Sequence, residues 1–166
     1  MLLWLLNGRL TAQSTGEAGK PCPNVVSTLA TEFIYHVPAV TLPRIEVRHC
    51  SGGGDKLQLL AWRRDAATPA LSVDTEDFGV VQVAARDNVF VVETSGATTN
   101  TVFVVNYERG EPKLIFRRVT HETATILVSP EAIELGISGL SPLGQPERTE
   151  KRRFPLDPHG LDPTRK

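Results

Sequence analysis

Val89-Phe90-Val91-Val92 returns as Val102-Phe103-Val104-Val105, thirteen positions later, across a polar interval that contains a single glycine, Gly96. No other feature constrains the fold as strongly. A period of thirteen is too short for a solenoid unit, which needs at least about 20 residues. It suits strand, turn and strand. Both alternating faces of each tetrapeptide are apolar, and a strand covered on both sides reads this way. The doublet therefore predicts a central β-hairpin with other structure packed above and below it.

The spacing continues on both sides. Ile45 and Val47 alternate with Arg44, Glu46 and Arg48, and Ser51-Gly52-Gly53-Gly54-Asp55 supplies a turn. Lys56 to Arg64 sets Leu57, Leu59 and Ala61 on one face and Gln58, Leu60 and Trp62 on the other. Ala70–Val73 is a short strand. Gly79 opens Val80–Ala85, and Asp87-Asn88 makes a two-residue turn into the doublet. Leu114–Phe116, Ile126–Val128 and the alternation of Ile133, Leu135 and Ile137 complete the series. Short strands at this spacing predict an all-β domain, an antiparallel meander folded into a sandwich or flattened barrel.

Proline sets the boundaries, because it cannot donate to a sheet ladder. Of the 12 prolines, four lie between 21 and 43 and five between 142 and 163. The expected domain spans 22–138, preceded by a flexible leader at 13–21 and followed by a disordered tail at 139–166. Residues 24–37 allow a helix capped by Asn24 or a strand over Thr31–Val37, and they are expected to form a short helix or irregular start followed by that strand. Residues 1–12, with the apolar run Met1–Leu6 and the small Ala12, read as a truncated signal segment. That predicts export to a periplasmic or extracellular compartment. The run is far short of the roughly 20 apolar residues needed for a transmembrane span.

Cys22 and Cys50 are the only cysteines. Paired in an oxidising compartment, they would close a loop of about 28 residues, worth roughly 3 kcal/mol on the chain-entropy model. A zinc site is not expected, since neither cysteine belongs to a C-x-x-C pair and His49 points away from its neighbour Cys50 on a strand.

Net charge is −1, so no bulk field draws a nucleic acid and none is expected as a partner. The last twenty residues carry +2 and the remainder −3. Ser51–Lys56 lacks the spacing of a phosphate loop and precedes a strand, not a helix. Asp74, Glu76 and Asp77 lack the calcium-loop pattern and read as a solvated turn. Arg63-Arg64 and Arg117-Arg118, beside Trp62 and Phe116, suggest a stacking surface, but strand alternation splits each doublet between two faces. His36, His49, His121 and His159 form no H-x-x-x-H pair, and no G-x-S-x-G surrounds Ser95.

The longest polar stretch, Glu93–Thr101, is read as a loop whose Thr94, Ser95, Thr98, Thr99 and Asn100 contact a ligand. The expectation is an exported, non-catalytic domain that binds a protein or glycan, with no metal or cofactor. The competing reading is a small hydrolase whose site assembles from distant polar residues.

Overall fold

The computed structural model describes residues 45–50, 56–138 and 149–164. The expected signal segment and leader, residues 24–37 and Cys22 lie outside them. Ten strands form three open antiparallel sheets among the described residues. The first sheet is β1 (Ile45–Cys50), β2 (Lys56–Ala61) and β3 (Leu71–Thr75), in that order. The central sheet runs β4 (Gly79–Arg86), β5 (Val89–Ser95), β6 (Asn100–Glu108) and β7 (Glu111–Thr120). The third is β8 (Thr125–Val128), β9 (Ala132–Ile137) and β10 (Glu150–Pro155), ordered β10-β9-β8. None closes into a barrel, so the sandwich expectation holds in its open form.

The valine-rich doublet forms the two inner strands of the central sheet. Phe90 faces Val105, Val91 faces Val104 and Val92 faces Phe103 in register. Its two faces feed two separate cores. On one, Phe90, Val92, Phe103, Val105 and Tyr107 pack against Ile45 and Val47 of β1 and Leu57 and Leu59 of β2. On the other, Val89, Val91, Val102 and Val104 pack against Ile133, Leu135 and Ile137 of β9 and Phe154 of β10. The result is a sandwich of three layers, a less common arrangement than two. Each fully buried valine or phenylalanine here contributes roughly 1.5–3 kcal/mol of transfer free energy. Two aromatic pairs meet edge to face: Phe90 with Tyr107 at 5.5 Å within the central sheet, and Phe116 with Phe154 at 5.7 Å between the central and third sheets.

The turns follow from residue chemistry. Arg109 (φ 53°) and Gly110 (φ 76°) both take the left-handed region between β6 and β7, the signature of a two-residue type I′ hairpin, where glycine carries no steric penalty. Asp87 (φ 48°) takes the same region at the first position of the two-residue turn between β4 and β5.

Two expectations need correction. The stretch from Glu93 to Thr101 is not one long loop. β5 and β6 run through most of it, and the turn is only Gly96–Thr99, closed by Gly96 N–H donating to the Thr99 carbonyl at 2.7 Å. Threonine is β-branched and suits a strand once its hydroxyl has a partner. The tail at 139–166 is not wholly disordered either. β10 pairs with β9, with Phe154 opposite Ile133, and Leu156–Pro163 continues as a strap across the central sheet. Phe154 and Leu156 pack into the core between the central and third sheets, Leu161 into the one between the first and central sheets, and these three apolar anchors order an otherwise charged segment.

Candidate functional site

Glu93 and Thr94 are neighbours on β5 and therefore point to opposite faces. Each heads a buried polar cluster at the tip of the central hairpin. Glu93 follows Val89 and Val91 on the face toward the third sheet and is fully buried. Its carboxylate accepts from Gln82 Nε2 at 2.5 Å and Asn100 Nδ2 at 2.9 Å. It also accepts from the Ala124 amide, at 3.0 and 3.2 Å to its two oxygens. Gln82 Nε2 in turn donates to the Ala124 carbonyl at 2.6 Å. One carboxylate and one amide thus hold β4, β6 and the β7–β8 connection onto β5. Among the described residues no cation pairs with Glu93, and a buried carboxylate is tolerable when amide donors surround it in this way.

Across the sheet, Thr94 donates its hydroxyl to Asp77 Oδ2. Thr75 donates to the same oxygen at 2.8 Å and accepts from the Asp77 amide at 3.2 Å. Asp77 is buried, and the pair of threonines ties the end of β3 to β5. Asp74 and Glu76 go elsewhere, to Gln58 (3.0 Å) and Lys56 (2.9 Å). The three acids do not converge. Among the described residues, no three His, Cys, Asp or Glu side chains gather as a metal site.

This geometry separates the five residues expected to contact a ligand. Thr94 is buried with its hydroxyl engaged, and Asn100 donates into the Glu93 cluster. Ser95 is half-buried, and its carbonyl accepts from the Phe78 amide at 2.9 Å. Thr99 closes the turn, and Thr98 alone stands exposed. The set does not form one surface. Glu93 and Gln82 were missed as partners, although a glutamate continuing the buried face of Val89 and Val91 was the available signal.

The opposite end of the central sheet is held by a neutral residue. Asn88 donates to Asn106 Oδ1 at 2.5 Å and to the Tyr107 carbonyl at 3.2 Å. Its Oδ1 accepts from the Asp157 amide at 2.6 Å, anchoring the strap. Gly110 N–H donates to the Gly160 carbonyl at 2.9 Å. A Cβ at Gly160 would lie 2.6 Å from both Asn88 Cβ and the Tyr107 carbonyl oxygen, so the close approach requires glycine.

The arginine doublets are split, as alternation requires. Arg63 Nε donates to both oxygens of Glu111, at 2.6 and 2.7 Å. Arg117 lies over the Phe103 ring at 5.5 Å, and Arg118 turns to Glu150 at 3.8 Å on the other face. No continuous stacking surface results from them. His121 and His159 are exposed; His36 and the His49 side chain lie outside the described residues. Cys50 ends β1, and the expected partner Cys22 lies outside them too. No helix among the described residues is long and apolar enough to cross a membrane.

Burial raises the Tyr107 phenol above its usual value, and its hydroxyl donates to the Trp62 carbonyl at 3.0 Å. Compared with known protein families, curated proteins and solved structures, the chain matches none.

Proposed function

We propose that this is an exported, non-catalytic β domain that binds a macromolecular partner through the open edge of its central sheet. The observation that carries the reading is exposure on β7, the last strand in that sheet. Ile115 is 45% and Val119 55% exposed there, on a strand of ten residues. Single exposed apolar side chains are ordinary, but β-branched ones on a long edge strand are what a pairing surface needs. The hairpin tip offers less, because its carboxylates and amides are engaged internally. The export component rests on Met1–Ala12 and on pairing of Cys22 with Cys50.

The test compares the wild-type chain with Ile115→Asp/Val119→Asp, both immobilised and offered exported proteins from the same source. A specific partner captured by the first and lost by the second, with thermal unfolding unchanged, is the expected result. A partner retained by the double variant removes the β7 edge from the reading. Mass measurement of the unreduced chain should show both thiol hydrogens missing; two free thiols overturn the export component.

A further inference from the structure

The rim of the molecule on the β7 side is built from two strand edges, not one. β7 ends the central sheet and β10 ends the third, and the Phe116–Phe154 contact together with Arg118 beside Glu150 brings them to the same flank. This flank is basic. β7 supplies Lys113, Arg117 and Arg118, and β10 supplies Lys151, Arg152 and Arg153, all exposed. The acids do not match them. Glu150 serves both Arg118 and Arg152, while Arg153 reaches Glu134 at 3.6 Å and Lys113 reaches Glu108. Among the described residues Arg117 has an aromatic ring beneath it and no carboxylate within ion-pair distance.

The register shifts at Ile115, where β7 carries one residue more than β6, so the regular part of the edge is Phe116–Thr120. Charges on an edge strand commonly serve only to discourage aggregation. A guarded edge has no use for Val119, which is more than half exposed between Arg118 and Thr120. An edge that recruits a strand combines both features. Unpaired backbone groups give affinity, and the flanking side chains select the sequence.

We propose that this flank takes an extended acidic peptide segment, added beside Phe116–Thr120 as a fifth strand of the central sheet. The proposal rests on the binding reading above and names the chemistry of the partner. A second copy of the chain fits poorly. An antiparallel copy of β7 centred on the strand sets Lys113 opposite Arg118, and like charges directly opposite are destabilising. An acidic strand instead meets Arg117 and Arg118 on its two faces, with Arg152, on the same face of β10 as Phe154, beside Arg118.

The experiment titrates the full chain against a labelled ten-residue peptide of glutamate, valine and threonine, read by fluorescence anisotropy at low and high salt. Hydrogen exchange of the complex locates the contact. Three control probes accompany it: the same peptide with proline at alternate positions, a lysine-for-glutamate version, and an oligothymidylate of equal charge. The expected result is salt-sensitive binding of the acidic peptide, new protection at Phe116–Thr120, and affinity about tenfold weaker in Arg117→Glu/Arg118→Glu. Equal binding of the proline peptide or the oligothymidylate would reduce the flank to a patch that attracts any polyanion and overturns the proposal. Protection of Phe116–Thr120 by the lysine peptide overturns the acidic preference while leaving the edge as a binding surface. Absence of protection there with every probe overturns the strand addition itself.

Discussion

The two ends of the central sheet solve the same problem with different chemistry. At the hairpin tip, Glu93 draws in donors from Gln82, Asn100 and Ala124, so that a carboxylate locks the β7–β8 connection onto the sheet. At the other end Asn88 does comparable work with a neutral amide, reaching Asn106, Tyr107 and Asp157. The tip cluster is walled in by the core between the central and third sheets. The Asn88 cluster instead holds a strap, most of whose residues are exposed. A carboxylate is used where the core surrounds it, and a neutral group where the partner is a largely exposed strap. The difference teaches that loss at the tip should propagate through the whole domain, and loss at the strap should stay local.

The largest expected effect is at the tip. Glu93→Ala leaves the buried Ala124 amide without an acceptor and takes one bond each from the half-buried Gln82 and Asn100 amides, and should lower global stability by about 3 kcal/mol in chemical denaturation. Glu93→Gln keeps the shape but turns a donor toward other donors, so it should recover only part of that loss. If the glutamine variant matches wild type, the charge is irrelevant and the contrast between the two ends collapses.

Asn88→Ala comes next, at about 2 kcal/mol, since the strap amide at Asp157 and the side chain of Asn106 lose their partner. The sharper readout is limited proteolysis. Cleavage between Leu156 and Pro163 should accelerate well before the rest of the domain opens. Uniform acceleration across all three sheets would instead make the strap an integral part of the core.

How much of this was legible beforehand depends on the range of each interaction. The central hairpin could be read because valines on both faces of two short segments announce two buried faces, and sequence-local alternation carries that information. What covers those faces could not be read, since strands separated by tens of residues supply the layers. Glu93 was legible in principle, as the one acid continuing the face of Val89 and Val91, but the hydroxyl-rich run after it suggested a loop. β10 escaped because its inward face offers only Phe154 amid lysines and arginines, a pattern that charged edge strands share with disordered tails. The Asn88–Asp157 contact joins residues 69 apart and leaves no local trace.

Gly160→Ala tests the strap without removing a hydrogen bond. The added methyl meets Asn88 Cβ and the Tyr107 carbonyl, neither of which can move freely, so the strap must shift. Overpacking of this kind costs about 1.5 kcal/mol. Amide exchange should rise at Gly110, whose N–H donates to Gly160, while β5 and β9 keep their protection. Rising exchange at β9 would show that the strap and the third sheet open together.

Tyr107→Phe carries the smallest effect and the one that changes with pH. At neutral pH the variant loses the bond to the Trp62 carbonyl, and about 1 kcal/mol of stability with it. The phenol's ordinary value is about 10, and burial in the folded chain holds it higher. As pH rises past about 10 the unfolded chain releases the proton first while the folded chain keeps it, so the wild type loses stability from that point upward. Phenylalanine has no proton to lose and escapes this loss. The gap between the two proteins should therefore narrow above pH 10 and then reverse, in unfolding curves measured side by side. A gap that stays constant would mean the phenol ionises as easily in the folded chain as in water, and that the Asn88 end is far more open than its neutral, buried contacts imply.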